Sequence, residues 1–305
     1  MSTSFLARVS HTLDRFFFAP ARPMPLAVLR IGLAATLLAQ ALQVAPVFLQ
    51  LYHHDGLLRG ALMDAFGPPH LPALGALVVR LTGGGAAESA LLVALGLLYL
   101  GSLVAMLVGW RTRVAGACAW LLHLVFVMLA PHTNYGADEF ASMFLFYAML
   151  APGAGALALD RRAGRAPAAP RATDRLVLRI MQIHLSFAYC LSGIEKASGE
   201  QWWSGEAIWR ALTGQGYRLF DLTWLAHWPA LAALAGWLVL VIEIGYPLIW
   251  LRATRPAWVV AVAAMHAGIG IFMGLHVFAA LMIVLTVALF GVRADPDPEA
   301  PGAPA

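Results

Sequence analysis

Lys196 is the only lysine in the chain, and it closes a row of polar and small residues in an otherwise apolar segment. The members of the row recur at three- and four-residue steps, which places them on one side of a helix; they are Gln182, Ser186, Tyr189 and Gly193. An amine at the end of such a row can line a cavity, where burial favours the neutral form that accepts protons. The alternative is a lysine that extends its amine to the membrane–water interface.

Four further residues are candidates for the same cavity, because they titrate or stack near the predicted outer ends of apolar segments: His132, Asp138, His276 and Trp203. Each also has a structural explanation. The helix macrodipole favours an acid at a helix N-terminus, and tryptophans at a span's end usually form an interfacial belt. The histidines show no ligand spacing such as HExxH, and both cysteines lie in apolar runs. We therefore predict no metal site.

Arg30 and Glu243 are charged residues inside apolar segments, at a matching predicted depth near the inner boundary. A charge at membrane depth requires a partner. The sequence therefore predicts a structural ion pair between them.

The composition determines the solvent that these residues meet. Of 305 residues, 61% are hydrophobic and only 12% are charged, against about 25% charged in soluble domains. The net charge of +4 comes without a basic patch with interleaved aromatics, so nucleic acid is not a predicted partner. The high apolar and low charged content predicts the lipid bilayer as the partner of the chain.

A spanning helix needs about 20 mostly apolar residues. Eight runs qualify as candidates: 25–46, 86–109, 114–131, 138–158, 176–194, 229–251, 256–273 and 276–291. With the N-terminus inside, fourteen arginines fall on the inner side and five basic residues on the outer side, as the positive-inside rule requires. We predict an all-α, polytopic integral membrane bundle of about eight transmembrane helices with both termini cytoplasmic.

The chain divides into three predicted regions. Residues 1–24 form a cytoplasmic N-terminal segment, residues 25–292 the transmembrane domain, and residues 293–305 a disordered, Pro-rich acidic tail. A Pro/Ala/Arg-rich stretch at 160–175 is predicted to be a flexible inner linker between two halves of four spans.

The sequence resembles a known family through five segments in order: RPMPLAVLRIGLAATLLAQ, YHHDG, QIHLSFAYCLSGIEKASGEQWWSGEAI, EIGYPLIWLRATR and HAGIGIFMGLHVFAALMI. Together they resemble the horizontally transferred transmembrane (HTTM) domain, the membrane part of vitamin K-dependent gamma-glutamyl carboxylase-like proteins, over roughly residues 20–292. The resemblance implies that Lys196 is a base that deprotonates a reduced quinone of the vitamin K or menaquinol type. Oxygenation of that quinol would then drive proton abstraction from a glutamate gamma carbon and carboxylation.

We accordingly expect an enzyme of the carboxylase (lyase) or quinol-oxygenating type, acting on a peptide, protein or small substrate. The expected location is a bacterial inner membrane with Lys196 facing outward. The carboxylases carry a large soluble region after the membrane domain, whereas this chain ends at its last predicted span. The alternative is therefore a non-catalytic HTTM module that anchors or assists a partner enzyme.

Overall fold

The computed structural model describes residues 2–57, 74–151, 156–166, 169–214, 216 and 219–294, with side chains from residue 6 onward. The chain forms two compact units. Unit 1 comprises Met1–Leu29 and Ala169–Ala305, and unit 2 comprises Arg30–Ala168. The boundary after residue 168 falls inside the predicted linker, but the first 29 residues belong with the C-terminal portion of the chain.

The described elements are helices. The N-terminal half holds α1 (Ser2–Phe18), α2 (Met24–Val44), α3 (Phe48–Tyr52), α4 (Leu74–Thr82), α5 (Gly85–Val108), α6 (Thr112–Leu129), α7 (Gly136–Leu150) and α8 (Leu159–Arg162). The C-terminal half holds α9 (Ala172–Ala197), α10 (Glu200–Ser204), α11 (Glu206–Thr213), α12 (Pro229–Ile244), α13 (Arg255–Met273) and α14 (His276–Thr286). Short 3₁₀ turns cover Ala45–Val47, Pro131–Thr133, Thr223–His227 and Tyr246–Trp250, and a π-helical turn follows α14 at Val287–Gly291.

The described helices confirm a membrane fold, although not the number of spans. Five segments are long and apolar enough to cross a bilayer: Met24–Tyr52, Gly85–Val108, Thr112–Leu129, Ala172–Ala197 and Arg255–Met273. The other three predicted spans fall on shorter helices. Of these, α7 has 15 residues and α12 has 16, while α14 and its π turn cover His276–Gly291.

The turn between α5 and α6 depends on a glycine and a distant carboxylate, both in unit 2. Gly109 ends α5 with φ +73°, where a side chain would be strained and would overlap Ala158. The Asp160 carboxylate accepts hydrogen bonds from the backbone N–H groups of Arg111 and Thr112, at 3.0 Å each, which start α6. The guanidinium of Arg165 lies 2.9 Å from the same carboxylate. Burial alone would raise the pKa of Asp160, but these hydrogen bonds lower it to about 2.

The prediction of a flexible linker over 160–175 needs correction in its described portion. Asp160 and Asp174 are buried, and α9 already begins at Ala172. Arg171 forms an isolated β-bridge with Ala21, within unit 1. A Pro/Ala/Arg-rich composition does not reveal these contacts, because they are made to residues far away in the sequence. The predicted tail lies outside the described residues from position 295 onward.

Candidate functional site

The row of polar and small residues on α9 is enclosed by the helices of unit 1. Gln182, Ser186, Tyr189 and Gly193 are all buried. The Gln182 side-chain amide donates to the Leu289 carbonyl at 2.5 Å, and the Trp250 indole donates to the Ser186 hydroxyl at 2.9 Å. These residues therefore join α9 to the segments that follow α12 and α14.

Tyr189 stands in the middle of this row. Its ring stacks on the ring of Tyr246, with centroids 4.2 Å apart and planes 7° from parallel. Its hydroxyl lies 3.5 Å from Nε2 of His266, whose Nδ1 lies 3.0 Å from the Val262 carbonyl oxygen. If Nδ1 carries the proton and donates to that carbonyl, Nε2 can accept from the tyrosine, so the group fits a neutral histidine.

Lys196 forms an ion pair with Glu243. Its Nζ lies 2.7 Å from Oε2 and 2.9 Å from Oε1 of the carboxylate, and 2.6 Å from the Ser192 hydroxyl. The lysine side chain is 25% exposed and the glutamate side chain 9% exposed. The Trp202 ring centroid lies 5.5 Å from Nζ, within the range of a cation–π contact.

Gly193 allows this pair to form. A Cβ built on Gly193 would lie 2.8 Å from both Glu243 Cβ and the Ile244 backbone nitrogen. The missing side chain lets α9 and α12 approach at the residues that carry the two charges, as small residues do between membrane helices. Gly236, about two turns earlier in α12, allows α10 and α12 to approach in the same way, because a Cβ there would overlap the carbonyl oxygen of Trp202 in α10.

These contacts place the ion pair between Lys196 and Glu243 away from the ends of unit 1. Beyond Lys196 the chain continues into α10, which packs beside the first half of α12, with Gly205 against Ala233 and Trp202 against Gly236. Fourteen residues separate Pro229, at the start of α12, from Glu243, which is about 21 Å at the usual helical rise. The amine therefore lies deeper in its unit than a lysine at the end of a span would.

The predicted ion pair between Arg30 and Glu243 is wrong, because the structure gives each residue other partners. Glu243 pairs with Lys196, as described above. Arg30 donates to carbonyl oxygens at the C-terminal end of α5, namely that of Met106 and, at 3.2 Å, that of Leu107, and also to the Leu157 carbonyl at 2.8 Å. A cation at a helix C-terminus is stabilised by the free carbonyls and the macrodipole. The depth predicted from a residue's position in an apolar run could not reveal either set of partners.

The other candidate residues each have surroundings within their own unit. In unit 2, Asp138 is buried and closes a capping box at the start of α7, with 3.2 Å between its Oδ2 and the Tyr135 nitrogen. It also accepts a hydrogen bond from Gln40 at 3.1 Å. His132 is exposed in its 3₁₀ turn. In unit 1, His276 is exposed at the start of α14, and Trp203 is 51% exposed with its indole donating to the Ala197 carbonyl.

Sequence reasoning missed Ser192 and the pairing of Glu243 with Lys196. The available signal for Glu243 was that it is the only acid in the apolar run 229–251. A buried acid needs a cation, and the run offers none. The described residues contain no group of three His, Cys, Asp or Glu side chains that could hold a metal ion.

The helices and the buried ion pair define this chain as an α-helical membrane protein with charged groups inside one of its units. A family model named HTTM domain matches residues 18–293, nearly the whole chain. The protein therefore belongs to the HTTM domain family, a membrane domain related to gamma-carboxylase. The searches of curated proteins and of solved structures found no match.

Proposed function

We propose that this protein is a membrane enzyme that deprotonates a lipid-soluble quinol and uses its oxidation by oxygen to drive proton abstraction, and then carboxylation or oxidation, on a peptide or small substrate. The observation that carries the proposal is the ion pair between Lys196 and Glu243. Ionisable groups within a membrane domain are costly, and they usually mark a functional site. Here the only lysine of the chain is enclosed with a carboxylate, while a quarter of its side chain stays accessible.

The pair solves a chemical difficulty of a lysine base. An ammonium group carries no lone pair, so Lys196 must first lose a proton. The carboxylate of Glu243 lies at hydrogen-bond distance and can take that proton, leaving a neutral amine beside a neutral acid. The amine can then accept a proton from an acidic hydroxyl.

The surroundings of the amine fit an aromatic, lipid-soluble ligand. A bound quinol would supply acidic hydroxyls and reducing equivalents for oxygen. Trp202 presents an aromatic ring beside the amine, and Trp203 is half exposed in the next position. Aromatic side chains of this kind bind planar rings and tolerate the membrane interface. Ser192 holds the amine by its hydroxyl, so the lysine is oriented before a ligand arrives.

A second candidate function is a non-catalytic module that anchors or assists a partner enzyme. The observation that favours it is the location of the pair at the crossing of α9 and α12. Each of three oxygen atoms already accepts from the lysine amine. A pair with this geometry can fix how the two helices cross without taking part in any reaction.

The test compares single and double substitutions of the pair in reconstituted protein. Lys196→Arg keeps the positive charge but cannot supply a neutral base, because arginine stays protonated. It should leave the protein folded and abolish quinol-dependent oxygen consumption. The double variant Lys196→Met/Glu243→Leu removes both charges together, which is often tolerated or stabilising, whereas removing one partner alone costs about 3–5 kcal/mol.

The two candidate functions predict different outcomes for the double variant. If the protein is an enzyme, the double variant folds but has no activity. If the protein is a non-catalytic module, the double variant keeps the biological phenotype, because helix packing is retained. Arg210→Met/Glu206→Leu is the matched control for the double variant, since Glu206 and Arg210 form an exposed pair on α11. Wild-type oxygen consumption by Lys196→Arg would exclude the base.

A further inference from the structure

Helix α1 has an apolar side and a basic side, and residues 6–15 of it are exposed all round. Leu6, Val9 and Leu13 follow one another at steps of three and four residues, so they share one side of the helix, and they are 65%, 40% and 50% exposed. Arg8, His11 and Arg15 share the opposite side at the same spacing. In proteins most helical stability comes from packing of an amphipathic face, so the exposed apolar side of α1 requires a cover.

The C-terminal end of α1 is held tightly by α9, within unit 1. Arg175 donates through Nε to the Ala19 carbonyl at 3.0 Å, and Arg179 donates to the Phe16 carbonyl at 3.2 Å. The Arg179 guanidinium also lies 4.4 Å from the centroid of the Phe16 ring. Cations at a helix C-terminus complement its free carbonyls. The direction of α1 is thus fixed relative to α9.

The position of this anchor identifies what covers the apolar side. Arg175 and Arg179 lie in the first turns of α9, and Met24 begins α2 only a few residues after α1 ends. Both α9 and α2 belong to segments able to cross a membrane. Since α1 ends where these two segments begin, it leaves unit 1 at a membrane face.

We propose that α1 lies in the membrane interface as an anchor for anionic lipid, with Leu6, Val9 and Leu13 in the acyl region and Arg8 and Arg15 among the headgroups. Helices with this distribution bury their apolar side about 5–10 Å into the boundary between headgroups and acyl chains. Arginine side chains near the surface gain from anionic lipid. The inference does not depend on the quinol chemistry proposed above.

Spin labelling of the full chain in vesicles tests the proposal. In a Cys118→Ala/Cys190→Ala background, single labels are placed at Val9 and Leu13 on the apolar side and at His11 and Thr12 away from it. All four positions are exposed in the folded protein, so the labels should not disturb folding. Power saturation then compares access of oxygen, which enters lipid, with access of a water-soluble nickel chelate.

In vesicles of phosphatidylglycerol and phosphatidylethanolamine, the labels at Val9 and Leu13 should favour oxygen and report a depth of about 5–10 Å. The label at His11 should favour nickel. Arg8→Gln/Arg15→Gln should reduce the depth in these vesicles, to the value found in phosphatidylcholine vesicles. Nickel access that is equal at all four positions would show a helix in water and overturn the proposal. Apolar positions closed to both reagents would show a protein partner instead, and an unchanged depth in the arginine variant would exclude anionic lipid.

Discussion

Gly193→Ala tests whether close approach of α9 and α12 creates the ion pair. The new Cβ would lie 2.8 Å from the Ile244 backbone nitrogen and 2.9 Å from Ile244 Cγ1. Carbon atoms in ordinary contact are about 3.5–4.0 Å apart, so the helices must separate by roughly 1 Å. Overpacking of this kind costs about 1–3 kcal/mol, against a gain of about 0.5–1 kcal/mol for replacing glycine in a helix. We expect a net loss of up to about 2.5 kcal/mol.

Gly268→Ala is the matched control, because Gly268 lies inside α13 and a Cβ there would meet no neighbouring atom within 4 Å. It should gain about 0.5–1 kcal/mol from the helix alone. Equilibrium unfolding of both variants in mixed detergent micelles measures the difference. A double-mutant cycle with Glu243→Gln then asks whether Gly193→Ala has weakened the pair. If Gly193→Ala stabilises the protein as much as Gly268→Ala does, the steric reasoning fails.

Three further predictions concern unit 2 and the topology. Arg30→Lys should lose about 1.5–3 kcal/mol in unfolding experiments, because one ammonium cannot reach carbonyls in both α5 and the Leu157 turn; an unchanged stability would mean that these hydrogen bonds contribute nothing. Asp160→Asn should lower stability at neutral pH. Because the folded pKa of about 2 lies below the ordinary value of 3.8, the wild-type advantage is complete above pH 3.8 and disappears as the pH falls toward 2, which thermal unfolding across that range would detect. Single cysteines at Ala166 and at Ala226, which is exposed in the turn before α12, should react with impermeant reagents from the inner and outer side respectively; labelling of position 166 from outside would contradict the predicted topology.

The sequence by itself determined the class of the protein and the positions of most helices. Apolar runs long enough to fill a bilayer are local features, and each of the eight predicted runs overlaps a described helix. The polar row on α9 was also predictable, because a period of 3.6 residues decides which side chains share a face. Apolar patterns do not show where a helix ends, so two helices are shorter than their predicted runs: α7 ends at Leu150 and α12 at Ile244.

Only the tertiary structure decided the partners of the charged residues. Glu243 lies 47 residues from Lys196 in the sequence, and no periodicity relates them. Their contact depends on where α9 and α12 cross, which the absent side chain of Gly193 fixes. Arg30 likewise donates to backbone carbonyls at the end of α5 and does not pair with an acid. Composition cannot predict this contact, because every helix terminus has such carbonyls whatever its sequence. A sequence shows which charges need a partner, whereas the choice among partners depends on helix packing over distances that local patterns do not encode.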